Sequence, residues 1–283
     1  MATKRMERST AQVVFVGNQK GGVGKTTNCV HMAAALGAAG RKCLVWDLDA
    51  NQGATLHLGI NGDRYLGAYE VLSGREAARD VIISPRDAGV SLPQGVDLLP
   101  AGSGLERVGR LRGDVLAGAI DQLKDQYDYI FLDTAPNLTT PTRAAYQAAS
   151  WFVFSVMPDP FAVVGLKTSL EHLRAAIAGG NRRARLLGVL FARVQSSRSP
   201  KSWFNERARL DRMLIEYAQK YLKDRRGGAL SFSTTIGSTV EIPRCQMQGR
   251  TLFQTKPRHR VTGQYRNLGR ELEEKIRIYT TRN

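Results

Sequence analysis

The sequence predicts one α/β domain in which a mainly parallel, twisted sheet is flanked by helices on both faces. Short apolar runs of strand character alternate with helical patterns along nearly the whole chain. The first run, residues 13–16, leads through a glycine-rich turn into a helical pattern at 29–39 and then into a second apolar run at 43–46. A strand–helix–strand unit with this spacing implies a parallel pair joined by a right-handed crossover.

The same alternation continues after the second strand. Apolar runs predict further strands at 96–99, 129–132, 151–156, 186–194 and 229–236. Helical patterns occupy 139–149, 161–178 and 264–279.

Two further helices are predicted from local signals. Asp114 is placed to cap a helix that carries Leu116, Ile120 and Leu123 on one face. A second helix follows residue 202 and carries apolar side chains on one side: Trp203, Leu210, Leu214, Tyr217 and Tyr221.

The composition is typical of a globular protein in a reducing cytosol. The chain has 283 residues, of which 42% are hydrophobic, enough for one large domain at 13–283 after a flexible arm at 1–12. No apolar run reaches the roughly 18 residues of a membrane span, and the arm lacks the apolar stretch of a secretory signal. The three cysteines show neither a disulfide framework nor metal-binding spacing, and Cys29 and Cys43 are expected in the core.

The net charge of +16 is concentrated in the last third of the chain. Residues 1–180 contain 18 Lys and Arg against 17 Asp and Glu, whereas residues 181–283 contain 23 against 8. A basic block on a folded domain indicates a polyanionic partner, either nucleic acid or an anionic membrane.

The stretch GNQKGGVGKTTN, residues 17–28, has the composition of a phosphate-binding loop between a strand and a helix. Glycines let the backbone curl and direct its N–H groups at an anion, and the helix that follows adds its positive dipole end. Lys25 is placed to reach the terminal phosphates, and the Thr26 hydroxyl to bind Mg²⁺. The expected nucleotide-binding residues are Gly21, Gly22, Val23, Gly24, Lys25, Thr26 and Thr27. The fold class is therefore P-loop NTPase-like.

Two aspartates at predicted strand ends complete a site for nucleotide hydrolysis. Asp133 ends the run YDYIFLD and is expected to hold Mg²⁺ as a Walker-B aspartate does. Asp49 ends the run CLVWDLD and is expected to orient or polarise the attacking water. In parallel sheets the carboxyl ends of neighbouring strands open onto one edge, where ligands bind.

Several segments resemble the ParA/MinD family of deviant Walker ATPases. These are KGGVGKTT, DLDANQGAT, YDYIFLDTAPNLTT and PDPFAVVGLKTSL, followed by STTIGSTVEIPRCQMQGRTLF and YRNLGRELEEKI. The resemblance implies an ATP- and Mg²⁺-dependent homodimer with two nucleotides sandwiched at its interface. Lys20 matches the family's second loop lysine, which reaches the partner's nucleotide and stabilises charge in the transition state. Lys20, Lys25 and Asp49 are thus the expected catalytic residues.

The segment after the second strand departs from the family pattern D-x-D-P-Q. Ala50 and Asn51 stand where the family has Pro and Gln, and Gln52 follows one step later. Loss of the proline is expected to loosen this switch loop. Arg193 lies at the end of the strand predicted at 186–194, near where family members contact the nucleotide base. A surface arginine without a role in base binding explains this position equally well.

The resemblance leaves two kinds of partner open. MinD-like members bind membranes through a C-terminal amphipathic helix, and here Leu268, Leu272, Ile276 and Tyr279 form one apolar stripe. The opposite face carries acidic as well as basic residues, which favours packing of this helix on the domain. A metabolic or metal-trafficking ATPase is a third class, but the sequence contains no Cys pair or Cys/His cluster.

The basic last third favours DNA, bound through its phosphates without sequence preference. The expected contacts are Arg182, Arg183, Arg225, Arg226, Arg244, Arg250, Arg258, Arg260, Arg266 and Arg270, with Arg185 beside them. The resemblance to ParA-like members further implies a cytoplasmic, nucleoid-associated protein with no membrane partner. It also implies a ParB-like cargo adaptor that stimulates slow hydrolysis, so that a plasmid, chromosome or other cargo is positioned.

Overall fold

A computed structural model describes residues 10–87, 89–109, 114–159, 162–195, 202–223 and 229–281. Within these residues the centre of the molecule is a sheet of parallel strands in the order β3-β2-β4-β1-β5-β6. The strands are β1 (Gln12–Gly17), β2 (Cys43–Leu48), β3 (Val96–Leu99), β4 (Tyr129–Thr134), β5 (Trp151–Val156) and β6 (Arg185–Phe191).

Helices connect and cover the strands. They are α1 (Lys25–Ala38), α2 (Gly53–His57), α3 (Ala68–Leu72), α4 (Val115–Asp121), α5 (Thr140–Ala148), α6 (Ala162–Ala178), α7 (Ser202–Tyr221), α8 (Glu241–Met247), α9 (Leu252–Thr255) and α10 (Arg260–Thr281). Short 3₁₀ turns lie at Gly62–Arg64, Ala78–Val81 and Leu105–Arg107.

Two hydrophobic cores lie on opposite faces of the sheet because successive side chains of a strand point to opposite sides. In β1, Val13 and Phe15 join the core that α4, α5 and α6 cover. Val14 and Val16 join the other core, which α1 and α10 cover. The predicted α/β class, with a parallel sheet between two helical layers, is confirmed.

The prediction for β5 matches the structure at both ends, whereas the strand after it is shorter than expected. β6 ends at Phe191 instead of residue 194, because Arg193 adopts a left-handed backbone with φ of 58° and interrupts the extended run. The predicted strand at 229–236 is also wrong. That segment pairs with the β6 region only through isolated bridges, Val189 to Ser231 and Val194 to Gly237.

The apolar face predicted for α7 is wrong in the described part of the helix. Leu210 and Tyr217 are exposed and Leu214 is half-buried, whereas Asp211 and Ile215 are buried. The buried Asp211 carboxylate sets this rotation, because it accepts hydrogen bonds from the Gln195 backbone N–H and the Arg207 guanidinium. The side chains of Trp203 and Tyr221 lie outside the described residues.

The predicted helix after Asp114 is confirmed, but its predicted side-chain cap is not. Leu116, Ile120 and Leu123 are buried on one face of the α4 region. Asp114 occupies the N-cap position with ψ of 47° and forms no capping hydrogen bond through its side chain. Extended backbone is the usual conformation for such a cap, and Asp114 does not adopt it.

The C-terminal helix α10 packs on the body of the domain. Leu268, Leu272 and Ile276 are buried in the core shared with α1. Tyr279 is half-buried, and its ring centroid lies 5.8 Å from that of Trp151. The stripe considered above as a membrane-binding face is thus a packing face. In the part of the chain that the structure describes, no helix is long and apolar enough to cross a membrane.

Candidate active site

The glycine-rich loop lies between β1 and α1 at the carboxyl edge of the sheet. Gly22 and Gly24 adopt left-handed backbone conformations, with φ of 73° and 86°, that glycine reaches without steric cost. Gly24 precedes the first turn of α1, and its carbonyl accepts the Asn28 N–H at 2.8 Å. The N–H groups of the first helical turn are therefore available to an anion in the loop.

A buried polar network fixes the loop against β5 and α10. Ser155 donates its hydroxyl to the Val23 carbonyl at 2.7 Å and accepts the Asn28 side-chain amide at 2.8 Å. Tyr265 of α10 donates to the Asn28 side-chain oxygen at 2.7 Å. Asn18 donates to the Ser155 carbonyl at 2.7 Å. Every member of this network is buried, so each hydrogen bond restricts the loop to one conformation.

Lys25 is buried within the loop, and its ammonium donates to the Lys20 carbonyl at 3.0 Å. Burial lowers the pKa of Lys25, while the carboxylates of Asp133 and Asp49 oppose that change. The structure thus brings the predicted lysine and both predicted aspartates together at one edge of the sheet.

Asp133 and Asp47 face each other across β4 and β2 as directly paired residues, and both are fully buried. No donor in the described residues reaches hydrogen-bonding geometry with either carboxylate oxygen of Asp133. Burial, followed by the Asp47 charge, raises the pKa of Asp133 well above its ordinary value, and the Thr26 hydroxyl partly opposes this rise. A cation placed beside Asp133 and Thr26 would supply the missing partner.

The other two carboxyl groups are held by their own loops. Asp47 accepts hydrogen bonds from the Thr55 N–H at 2.9 Å and the Thr55 hydroxyl at 2.7 Å. Burial raises the pKa of Asp47 to about 6. Asp49 accepts both the backbone N–H and the side-chain amide of Asn51 at 3.0 Å. Asn51, one of the residues that replace the family's Pro-Gln, thus fastens the loop to Asp49.

Lys20 is paired within its own chain. Its ammonium lies 2.6 Å from the Asp159 carboxylate, which follows the end of β5. The Lys20 N–H donates to the Asn18 side chain at 3.0 Å, which fixes the backbone that presents the lysine. The Lys20 side chain is 34% exposed and is accessible to another anion, whereas the Asp159 side chain is 12% exposed and stays largely buried if Lys20 leaves it.

The remaining predicted loop residues have separate contacts. Val23 is buried, and Gly21 has open space where a Cβ atom would lie. A Cβ on Gly53 would lie 3.0 Å from the Thr26 hydroxyl, so the start of α2 closes over that residue. The Thr27 hydroxyl accepts the Gln246 side-chain amide at 3.3 Å.

Arg193 contacts the nucleotide loop directly. Its guanidinium donates to the Gly22 carbonyl at 3.2 Å. The left-handed backbone at Arg193 that ends β6 turns this side chain toward the loop.

The arginines predicted to bind DNA divide between the two edges of the sheet. Arg182 and Arg183 are exposed just before β6, at the amino ends of the strands. Arg258 and Arg260 are exposed just before and at the start of α10. The Arg260 guanidinium lies beside Gly237, which pairs with residue 194 beyond the carboxyl end of β6.

The other candidate arginines differ in their exposure and in whether their charge is already paired. Arg250 and Arg270 are exposed, whereas Arg244 pairs with Glu241 at 2.6 Å. Arg266 is half-buried, donates to the Pro257 carbonyl and lies over the Phe253 ring. The exposed Arg185 donates to the Arg182 and Ala184 carbonyls. Arg225 and Arg226 lie outside the described residues.

Sequence reasoning missed the residues that support the loop. Ser155 had a recognisable signal, because it is the single polar residue in the buried strand WFVFSV. Asp159 follows a strand end, as Asp49 and Asp133 do, and could have been included on that ground. Tyr265 had no local signal, because its partner Asn28 lies 237 residues away.

The site suits a nucleotide phosphate chain and a divalent cation. Left-handed glycines shape the loop, Lys25 carries a buried positive charge, and Asp133 has two unpartnered buried oxygens. Together with the strand–loop–helix placement, these features define a P-loop α/β nucleotide-binding domain.

Comparison with known proteins identifies the family. A family model described as AAA domain matches residues 11–184. The chain is 30% identical to the chromosome-partitioning ATPase Soj of Thermus thermophilus, over 96% of this chain and 99% of that protein. It is 28% identical to the sporulation initiation inhibitor protein Soj of Bacillus subtilis, over 92% and 98%. The chain belongs to the ParA/MinD family of deviant Walker ATPases.

Solved structures share the fold at lower sequence identity. Septum site-determining protein MinD from Pyrococcus horikoshii, complexed with Mg-ADP, superposes with a TM-score of 0.69 at 21% identity, over 93% of this chain and 96% of that one. Apo McdA from Cyanothece superposes with a TM-score of 0.72 at 18% identity, over 94% and 99%. The P-loop fold predicted from the sequence is confirmed.

Proposed function

We propose that this protein is a ParA-type ATPase that closes into a homodimer around ATP and Mg²⁺ and binds DNA without sequence preference while it is closed. The observation that carries the proposal is the gathering of Lys25, Asp49 and Asp133 beside a loop that presents a second lysine, Lys20. The Soj relatives, one named a chromosome-partitioning ATPase, support the ParA-type assignment.

Each residue of the loop has a defined part in holding the nucleotide. The backbone N–H groups of 21–27 surround the phosphates, and Lys25 neutralises charge on the β- and γ-phosphates. Thr26 and Asp133 would hold Mg²⁺, which neutralises phosphate charge when bound. Asp49 orients the attacking water, and the amide of Asn51 keeps that carboxylate in place.

Lys20 acts across the dimer. In the monomer the Lys20 ammonium forms an ion pair with Asp159. The Lys20 backbone carbonyl separately accepts a hydrogen bond from the Lys25 ammonium. When two loops meet face to face, Lys20 leaves Asp159 for the partner's nucleotide and stabilises the charge that develops on the phosphoryl oxygens.

Dimer closure couples the nucleotide to DNA. If the nucleotides lie between two subunits, the carboxyl edges of the two sheets face each other, and Arg258 and Arg260 of both subunits come to the same side. Two basic surfaces held together bind a phosphate backbone more tightly than either surface alone. The excess of 23 basic over 8 acidic residues in 181–283 supports DNA as the polyanion.

The remaining parts of the function rest on the family. A ParB-like adaptor linked to the cargo stimulates hydrolysis, and the ADP-bound protein then releases DNA. The protein works in the cytoplasm on the nucleoid, and its cargo is a plasmid, a chromosome or a protein assembly.

A MinD-like membrane-associated ATPase is the competing function. It was suggested by the apolar stripe of α10, but Leu268, Leu272 and Ile276 are buried against the domain. A membrane function would require α10 to detach and expose these residues to water or lipid, which costs the free energy of their burial.

One cosedimentation experiment distinguishes the two functions. The full chain is incubated with random duplex DNA or with vesicles containing anionic lipids, in the presence of Mg²⁺ and ATP, ADP or no nucleotide. We expect ATP-dependent cosedimentation with DNA and no nucleotide-dependent cosedimentation with vesicles. ATP-dependent sedimentation with vesicles alone would refute the DNA function and support the membrane function.

A further inference from the structure

A buried cluster of metal-binding side chains lies beside the nucleotide loop, between α1, α2 and α8. His31, His57 and Cys245 each offer one ligand atom, and these atoms lie within 4.8 Å of one another. The three residues are 0%, 4% and 2% exposed, so the cluster is shielded from solvent. They are far apart in sequence, and only the fold brings them together.

His31 is oriented as a metal ligand would be. Its Nδ1 atom lies 2.9 Å from the Thr27 carbonyl, which can only accept, so Nδ1 carries the hydrogen. The lone pair therefore lies on Nε2, where it accepts the Leu252 N–H at 3.2 Å, so a metal ion bound to Nε2 would have to replace this hydrogen bond. Donation from the second ring nitrogen to a carbonyl is the usual outer-shell contact of a metal-bound histidine.

The two ring nitrogens of His57 differ in their hydrogen bonding, and this difference indicates a place for a ligand. Its Nδ1 atom lies 3.2 Å from the Gln246 side-chain amide, while its buried Nε2 atom has no hydrogen-bond partner in the described residues. The oxygen and nitrogen of a Gln amide have nearly the same shape. If Gln246 turns its oxygen to Nδ1–H, the His57 Nε2 lone pair becomes available without any change in volume.

Cys245 supplies the third ligand as a thiolate. In the free protein its Sγ atom donates to the Ile242 carbonyl at 3.0 Å, and burial raises the thiol pKa to about 11. A metal ion would replace that proton, so binding forms one metal–sulfur bond and releases one proton to solvent. Burial lowers the pKa of His31 to about 4, which keeps its imidazole neutral as metal binding requires.

We propose that His31, His57 and Cys245 form a Zn²⁺ site. Zn–N bonds of about 2.0–2.1 Å and a Zn–S bond of about 2.3 Å place tetrahedral ligand atoms roughly 3.3–3.8 Å apart. The observed separations of up to 4.8 Å require the ligand atoms to move closer together by up to about 1.5 Å. Two imidazoles and one thiolate suit Zn²⁺ better than Mg²⁺, which takes oxygen ligands, and a water completes the fourth position.

The proposed site is joined to the nucleotide loop at one residue. His31 binds the Thr27 carbonyl, and Gln246 bridges the Thr27 hydroxyl and His57. An ion here would therefore hold Thr27 through both its backbone and its side chain. The site itself does not depend on nucleotide binding, so its test uses the nucleotide-free protein.

Co²⁺ titration of the full chain, after removal of metals by a chelator, tests the proposal. Co²⁺ should bind with a stoichiometry of one ion per chain and give a thiolate-to-metal charge-transfer band. Added Zn²⁺ should remove this band because it displaces the Co²⁺. Cys245→Ser should abolish the band, and His57→Asn should weaken Zn²⁺ binding by about 10-fold or more in competition with a chromophoric chelator. Cys43→Ser, which removes another buried thiol, is the matched control and should retain the band and the affinity.

A second measurement does not depend on the folding of variants. In the wild-type protein at a urea concentration that transiently exposes buried thiols, Zn²⁺ should slow alkylation of Cys245 relative to Cys43, as measured by mass spectrometry of the peptides. Absence of the Co²⁺–thiolate band in the wild-type protein would overturn the proposal. Equal alkylation of Cys245 with and without Zn²⁺ would overturn it as well.

Discussion

Lys20 and Asp159 form an ion pair at 2.6 Å within one chain, although the proposed function assigns Lys20 to the partner's nucleotide. The lysine cannot contact both anions at once. If Lys20 acts on the partner's nucleotide as proposed, Asp159 competes with dimer formation. The strength of this competition is limited, because a partly exposed ion pair contributes about 1 kcal/mol or less.

Asp159→Asn should strengthen ATP-dependent dimerisation by roughly twofold to fivefold, since the competing charge is removed. Sedimentation equilibrium with ATP and Mg²⁺ measures this effect. Asp121→Asn, which changes an ion-paired but more exposed aspartate at the end of α4, is the control and should leave the dimer affinity unchanged. A weaker dimer for Asp159→Asn would mean that Asp159 positions Lys20 instead of restraining it.

Asp133→Asn should stabilise the nucleotide-free protein at pH 7, because burial disfavours the ionised form of this carboxyl group and an amide has no ionised form to desolvate. The same change should abolish Mg²⁺-dependent strengthening of nucleotide binding. Urea unfolding and nucleotide titration with and without Mg²⁺ measure the two effects. Asp97→Asn is the contrast: Asp97 accepts the Tyr127 hydroxyl at 2.7 Å, so its replacement should not stabilise the fold.

The pH dependence of stability follows from the same buried carboxyl groups. The pKa of Asp47 rises from 3.8 to about 6 on folding, so the folded state holds this proton more tightly than the unfolded state. The free energy of unfolding should therefore fall as pH rises from about 4 to 6, and the raised pKa of Asp133 extends the fall to higher pH. Urea unfolding between pH 4.5 and about 7.5 measures the slope, and Asp133→Asn should reduce it. A slope of the opposite sign in the wild-type protein would contradict the assignment.

Ser155→Ala should destabilise the protein by about 1–3 kcal/mol and weaken nucleotide binding, because the Val23 carbonyl and the Asn28 amide lose their buried partner. Thermal or urea unfolding and nucleotide titration measure the two quantities. Ser150→Ala, immediately before the same strand, is the control. Wild-type nucleotide affinity in Ser155→Ala would show that the network supports the fold without shaping the loop.

Replacing Arg258 and Arg260 together by Ala should weaken ATP-dependent DNA binding and reduce the steepness of log affinity against log salt by up to about 4, because the dimer loses four arginines. These side chains lie at the carboxyl edge of the sheet, which dimer closure brings to the partner. The pair Arg182 and Arg183, at the opposite edge, provides the comparison, and its replacement should have a smaller effect. Fluorescence anisotropy of random duplex DNA over a range of salt concentrations measures the DNA affinity of both double variants. A larger loss of affinity on replacing Arg182 and Arg183 would indicate that DNA binds at the amino edge of the sheet.

The sequence predicts the sheet and the centre of the site well, because both depend on local patterns. β5 matches its predicted bounds, and Asp49 and Asp133 meet Lys25 because neighbouring parallel strands end at the same edge. The errors arise where distant contacts override the pattern. The hydrogen-bonded Asp211 is buried together with Ile215 in place of Leu210 and Tyr217 on α7, and Arg193 ends β6 early through a left-handed backbone.

Long-range contacts also explain what the sequence could not reveal. The spacing of the cysteines argued against a Cys/His cluster, yet the fold brings His31, His57 and Cys245 together. Likewise, Tyr265 supports the loop from the far end of the chain through Asn28. No local period or motif encodes such pairings, because they follow from how α8 and α10 pack against α1.

The molar mass in solution tests the central claim, a nucleotide-gated dimer, most directly. Light scattering on the eluting protein should give the monomer mass without nucleotide or with ADP, and about twice that mass with ATP and Mg²⁺. Lys20→Ala should remain folded and should lose the ATP-dependent dimer or its hydrolysis, the latter by about 10³-fold if Lys20 acts as a cation in trans. A mass that does not depend on the nucleotide, together with unchanged turnover in Lys20→Ala, would contradict the account.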